Sequence, residues 1–219
     1  MKKTISILGC GWVGQALKES LQSDDIVHCL LRNIEENEQA NKYVCNTLVI
    51  AIPPRENYLE VLTQTIEKID PSTQVIFLSS TSFYSGKALV VQGEELIKKL
   101  HEKVLILRLS GLMGYDRIAG KYTAGKTKEH DALLNYVHRD DVVKIIGLCI
   151  EGDVRFETFD VTAPQHPKLS VVYAQNAKAF SWEDTYFESD EVLGRVISSE
   201  KLVAYLGYEF LKPDPLEFW

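Results

Sequence analysis

The 219-residue chain is 45% hydrophobic and 25% charged, with a formal net charge of -7. This balance is ordinary for a folded globular protein and excludes a disordered one. It also speaks against nucleic acid as a partner, because phosphate backbones need clustered Lys and Arg. The length suits one body, either a single core domain or a domain with a small appendage.

In chain order, residues 4–9 ("TISILG") form the first apolar run. The preceding "MKK" superficially resembles a signal peptide, but glycines break the run and the polar "QALKESLQSDD" follows, so it reads as a strand. A helix-patterned segment, "WVGQALKESLQS", comes next, then strands at 26–32 ("IVHCLLR") and 47–52 ("TLVIAI"). The 14 residues between those two strands leave room only for a brief helix and a brief extra strand at 43–45 ("YVC"). The helical "YLEVLTQTIEKID", a strand at 74–80 ("QVIFLSS"), the helical "EELIKKLHEK" and a strand at 104–110 ("VLILRLS") follow. These strands are apolar on both faces, as in a parallel sheet covered by helices. Such βαβ alternation predicts an α/β fold, a Rossmann-like doubly wound parallel sheet with helices on both faces.

After residue 150 the pattern weakens to "TFDVT", "VVYAQNAKAF" and "SSEKLVAYLGYEF". The expected organisation is one domain over 1–219, with 151–219 as a smaller C-terminal, substrate-side portion packed on it. No run of about 18 apolar residues marks a membrane span. Cys10, Cys29, Cys45 and Cys149 lack metal-ligand spacing and read as small buried residues of a reduced protein, so the expected location is the cytoplasm and no metal is expected.

Gly9, Gly11 and Gly14 make a G-x-G-x-x-G directly after a strand and at the start of a helix. Gly9 permits the tight turn, Gly11 lets main chain approach a pyrophosphate, and Gly14 allows close helix-to-strand packing. The N–H groups of Trp12 and Val13 then face the phosphates, helped by the helix dipole. Where a ribose 2′-OH would meet an Asp or Glu, the second strand ends in Arg32 and Asn33. An arginine there grips a 2′-phosphate, so NADP(H) is expected over NAD(H), although Arg32 could equally pair with Glu35 or Glu36.

With "GCGWVG", the segments "QVIFLSSTSFYSG", "LRLSGLMG", "NYVHRDDV" and "YLGYEFLKPDP" make the chain similar to the extended and atypical short-chain dehydrogenase/reductase superfamily, the NAD(P)-dependent epimerase/dehydratase group. The resemblance implies that Ala51, Ile52 and Pro53 line the cofactor and that Ser79 and Ser80 sit beside the nicotinamide. It also implies that Ser80 is the catalytic hydroxyl and that Arg117 contacts a charged group of the substrate. The alternative for Ser80 is a strand-end hydroxyl capping main chain, and for Arg117 a surface charge.

The family's proton donor is a Tyr followed four residues later by a Lys, on the helix after "LSST". Here the best match places Val91 and Glu95 at those positions, and neither can do that chemistry. Tyr122 and Lys126 have the literal spacing and are the candidate catalytic pair, able to touch substrate from a loop at the carboxyl end of a strand. They lie in a glycine-bounded segment of poor helix propensity, where coincidence is the favoured reading. His138 reads as part of a strand-to-helix junction, with Asp140 or Asp141 capping the helix. Two functions follow: an NADP(H)-dependent oxidoreductase or epimerase acting on a small polar or nucleotide-linked substrate, as a monomer or homodimer, or a non-catalytic NADP(H)-binding sensor.

Overall fold

The computed structural model describes residues 2–32, 41–189 and 191–219. Two compact units divide the chain, Met1–Leu109 with Val142–Phe159, and Ser110–Asp141 with Asp160–Trp219. Both are discontinuous in sequence.

The first unit follows the alternation of apolar runs and amphipathic segments. Its elements are β1 (Thr4–Leu8), α1 (Trp12–Leu21), β2 (Ile26–Leu30), β3 (Thr47–Ile50), α2 (Tyr58–Ile66), β4 (Gln74–Ser80), α3 (Ala88–Leu100) and β5 (Leu105–Leu109). Later in the chain come α4 (Arg139–Glu151) and β10 (Thr158–Val161). The strands form a six-stranded sheet in the order β10-β5-β4-β3-β1-β2, within which β2, β1, β3, β4 and β5 run parallel. The doubly wound α/β reading therefore holds. The central strands are buried on both faces: Ile5, Ile7, Leu48, Ile50, Ile76 and Ile106 are fully enclosed, each such side chain contributing about 1.5–3 kcal/mol. α2 and α3 cross closely at Gly93, where a Cβ would lie 2.7 Å from the Tyr58 ring.

One expected strand is absent. Residues 41–43 form a 3₁₀ turn and 44–45 are irregular. Tyr43 is buried in the core with Lys68 over its ring, and Val44 projects outward. The Tyr43 anchor, with side-chain bonds from Ser6 to the Lys42 carbonyl and from Thr73 to the Cys45 carbonyl, holds this segment without strand pairing.

The second unit is built from short pieces: β6 (Gly111–Met113), β7 (Thr127–Lys128), β8 (Asp131–Ala132), β9 (Tyr136–His138), α5 (Leu169–Phe180), β11 (Tyr186–Phe187), β12 (Val192–Leu193) and α6 (Glu200–Leu206). Three two-stranded parallel pairs, β6 with β9, β7 with β11 and β8 with β12, replace a large sheet. Its core gathers Ala119, Leu134, Val172 and Tyr173, with Leu216 and Trp219 packed against them. Among the described residues no helix is long and apolar enough to cross a membrane.

Candidate functional site

In the sheet order β1 lies between β2 and β3, so the strand order reverses beside it and leaves a crevice at the carboxyl ends of β1 and β3. The glycine loop enters that crevice. Gly9 has φ +97°, and a Cβ there would meet the Ala51 carbonyl oxygen at 2.8 Å and Ile52 Cγ2 at 2.9 Å. The Ala51 N–H in turn donates to the Leu8 carbonyl at 2.8 Å. A Cβ on Gly14 would collide with the Gly9 carbonyl, so the third glycine seats α1 on the loop.

Gly11 differs from both. Its φ of -81° suits any residue, and a Cβ there would meet nothing within 4 Å. Protein packing does not call for glycine here, although its ψ of -149° lies outside the common basins and Gly11 is the N-cap of α1, where glycine is favoured over alanine. The open space over Gly11 at the start of α1 fits the approach of a dinucleotide pyrophosphate. Gly11 also leaves α1 without a side-chain cap, so the first turn presents Trp12 and Val13 main chain at the loop.

Ala51, Ile52 and Pro53 follow β3 at the same crevice, Ile52 buried and Pro53 exposed. Arg32 lies two residues beyond β2, half-buried, with its guanidinium donating to the Glu56 carbonyl. Asn33, Glu35 and Glu36 lie outside the described residues.

The reading of Cys10 and Cys29 as reduced, buried residues is overturned. They form a disulfide with a Cα–Cα separation of 5.7 Å, and both are only half-buried. Parallel pairing brings Cys29 opposite Ile7, and the Gly9 N–H reaches the Leu30 carbonyl at 3.4 Å. Cys10, just past β1, thereby meets a residue 19 positions away, a closeness that no local spacing reveals. Cys45 is free and half-buried. Cys149 is free and buried, its thiol pushed up to about 12 by that burial.

At the end of β4 the two serines do different things. Ser79 Oγ donates to Glu94 Oε1 at 2.6 Å. Ser80 Oγ accepts the Ser82 N–H at 3.2 Å and the Ser82 hydroxyl at 2.9 Å, capping a 3₁₀ turn over Thr81–Ser85. Glu94, on α3, is almost fully enclosed and takes a bidentate grip from Arg108, with Nε to Oε1 at 2.9 Å and Nη2 to Oε2 at 2.7 Å. The Arg108 guanidinium lies 3.6 Å from the Phe83 ring centre, and its Nη1 donates to the Tyr84 hydroxyl at 3.2 Å. On α3, Val91 is half-buried and Glu95 exposed. The helix has no tyrosine, and the polar group it turns inward is Glu94. Sequence reasoning missed this cluster; its signal was a lone Arg inside the apolar "LILRL".

The second unit holds a cavity of about 240 Å³ whose lining includes Met113, Arg117, Tyr122, Tyr136 and Tyr173. Tyr136 comes from β9 and Tyr173 from α5. Burial and the neighbouring Tyr173 raise the Tyr136 phenol above its ordinary range. Arg117 is set by a tight turn in which Gly114 and Arg117 exchange main-chain bonds at 3.1 and 3.0 Å, and its carbonyl accepts Trp219 Nε1–H at 3.0 Å. Tyr122 is 78% exposed. The Lys126 ammonium donates to the Tyr122 carbonyl at 3.0 Å, and neither residue stands on a helix.

Asp140 and Asp141 do not cap α4, which begins one residue earlier, at Arg139, so both lie in its first turn. The acceptor before the helix is His138 Nδ1, which takes the Asp140 N–H at 3.2 Å. Burial lowers the His138 pKa, consistent with a neutral ring holding its proton on Nε2. Asp140 accepts the Tyr115 hydroxyl at 2.7 Å. The fully buried Asp141 carboxylate accepts the Tyr208 hydroxyl at 2.6 Å and the Leu211 N–H at 2.7 Å, tying down the segment after α6.

No family model matches the chain. Over its whole length it is similar to Protein YeeZ of Escherichia coli K12, 29% identical, with 98% of each chain covered. That alignment spans 274 positions, more than the 219 residues here, so the relative carries segments without counterpart in this chain. Among solved structures, a candidate NAD-dependent epimerase/dehydratase from Methylobacillus flagellatus superposes with a TM-score of 0.82 at 21% identity, covering 100% of this chain and 96% of that one. MoeE5, solved in complex with UDP-glucose and NAD, gives 0.74 at 15% identity, covering 98% and 96%.

Proposed function

We propose that this chain, which has the fold of the NAD-dependent epimerase/dehydratase and short-chain dehydrogenase/reductase proteins, binds NADP(H) on its first unit and uses it in oxidoreductase or epimerase-type chemistry on a small polar or nucleotide-linked substrate. The observation that carries the reading is Gly11, where a Cβ would meet nothing within 4 Å, at the mouth of the strand-order reversal. A bound nicotinamide dinucleotide supplies hydride donation or acceptance. Gly9 to Gly14 would hold its pyrophosphate, and Arg32, released from the Glu56 carbonyl, its 2′-phosphate. Ser80, whose own hydroxyl proton is not used in capping the turn, would donate to the reacting oxygen. Arg117 and the tyrosine-walled cavity would take the substrate. A small-molecule substrate, a cytoplasmic location and a monomeric or homodimeric state complete the proposal.

A second reading is favoured by α3. Its inward polar group is a Glu94 already satisfied by Arg108 and Ser79, and it offers no tyrosine, which suits a protein that binds the dinucleotide without turnover. NADPH and NADH titrations of the wild type and Gly11→Ala test the shared premise. NADPH should bind more tightly than NADH, and Gly11→Ala should weaken both at least about tenfold, with only the small Tm loss of an alanine at a helix N-cap. Equal or tighter NADH binding removes the NADP(H) preference. A screen of carbonyl and sugar-nucleotide substrates, read by NADPH consumption and its loss in Ser80→Ala, separates the enzyme from the sensor.

A further inference from the structure

Cys10 stands inside the glycine loop, between Gly9 and Gly11, and its disulfide partner Cys29 lies on β2. The bond spans the same gap as the long Gly9-to-Leu30 main-chain hydrogen bond. It ties the segment that would hold the pyrophosphate to the end of the strand just beyond which Arg32 lies. Both sulfurs belong to half-buried residues, whereas Cys149 is sealed in the core. Disulfides that form in a reducing compartment are mostly transient, catalytic or redox-sensing.

We infer that the Cys10–Cys29 pair is a thiol–disulfide modification site that sets how firmly the glycine loop grips its dinucleotide, an inference that rests on the cofactor reading above. Oxidised, the loop is held in its helix-opening conformation. Reduced, its three glycines regain freedom that binding must remove again. The oxidant is a low-molecular-weight disulfide, RSSR. One cysteine thiolate attacks a sulfur of RSSR, forming a mixed disulfide and expelling RS⁻. The second thiolate then attacks the protein sulfur of that mixed disulfide, closing Cys10–Cys29 and expelling a second RS⁻. The two cysteine protons end on the two RSH, and two electrons pass from the protein to the small disulfide.

The test equilibrates the full chain in glutathione buffers of set ratio, identifies thiols by alkylation and mass analysis, and titrates NADPH and NADH into the oxidised protein, the reduced protein and Cys29→Ala. Hydrogen exchange of residues 9–14 is followed in parallel. Cys10 and Cys29 should become reactive together on reduction, the oxidised protein should bind about fivefold more tightly, and Cys29→Ala should show the weaker affinity in both buffers. Equal affinity across redox states, a pair that does not interconvert, or a redox response that persists in Cys29→Ala overturns the inference and leaves the cofactor reading standing. If no state binds a dinucleotide, the cofactor reading falls, and loop exchange decides the switch. Protection that rises on oxidation only in the wild type supports it, and unchanged protection overturns it.

Discussion

In the first unit the face suited to a ligand is made of main chain: the glycine loop, the Ala51 carbonyl and the ends of β1 and β3. One charged pair of this unit is turned inward, Glu94 and Arg108 locked together beneath α3. The second unit is arranged the other way. Its cavity is walled by side chains, Arg117 and three tyrosines among them, and its buried carboxylate, Asp141, braces a loop rather than a helix–strand contact. A main-chain grip suits a ligand part common to many proteins, such as a pyrophosphate. Side-chain walls suit the part that varies, which is why the fold alone does not name a substrate.

The comparison breaks first at Glu94. Glu94→Ala strands the Arg108 guanidinium, 11% exposed, without its partner and removes the acceptor of Ser79. Stability measured by chemical unfolding should fall by about 3–5 kcal/mol. A loss under about 1 kcal/mol would mean the pair does not organise α3 against β5.

The side-chain half is sharpened by Arg117→Ala. Against the substrate that the carbonyl and sugar-nucleotide screen returns, KM should rise by roughly 10- to 100-fold, the equivalent of one charge-assisted hydrogen bond. An unchanged KM would return Arg117 to the role of a surface charge.

A smaller effect follows from pH. Burial lowers the pKa of both His101 and His138 in the folded protein. The unfolded chain therefore takes up protons first as pH falls below about 6.5, so stability declines on acidification toward the folded values. Each histidine adds at most about 1.4 kcal/mol per pH unit. His138→Asn keeps an acceptor for the Asp140 N–H and should flatten the Tm-versus-pH curve. An unaltered slope would show that His138 does not carry this dependence.

The smallest effect is expected at Tyr122. Its ring is exposed, and the Lys126 ammonium is bonded to its carbonyl rather than its phenol, so Tyr122→Phe should leave turnover unchanged. A loss of turnover would restore the Tyr122–Lys126 pair as the proton donor.

The order of strands and helices through β5, the parallel sheet and the glycine loop were all legible in the sequence. Period-two and period-3.6 patterns and glycine conformational freedom are local properties, carried by a few neighbouring residues. At 43–45 the same local reasoning failed, because a short apolar stretch does not say whether it will pair as a strand or anchor one aromatic in the core. The capping of α4 was missed for a related reason. Asp is the commoner cap, but the junction is reached from β9, and that approach puts the His138 ring beside the first turn.

What the amino-acid sequence determined by itself, then, is where main chain must turn, rise and approach a ligand. Tertiary structure alone decided which distant side chains come together: Cys10 with Cys29 across parallel strands, Glu94 with Arg108 between helix and sheet, Asp141 with Tyr208, and Arg117 with Tyr136 and Tyr173 around one cavity. Those pairings depend on strand register and helix crossing over 14 to 67 residues of separation. No spacing within one segment encodes them.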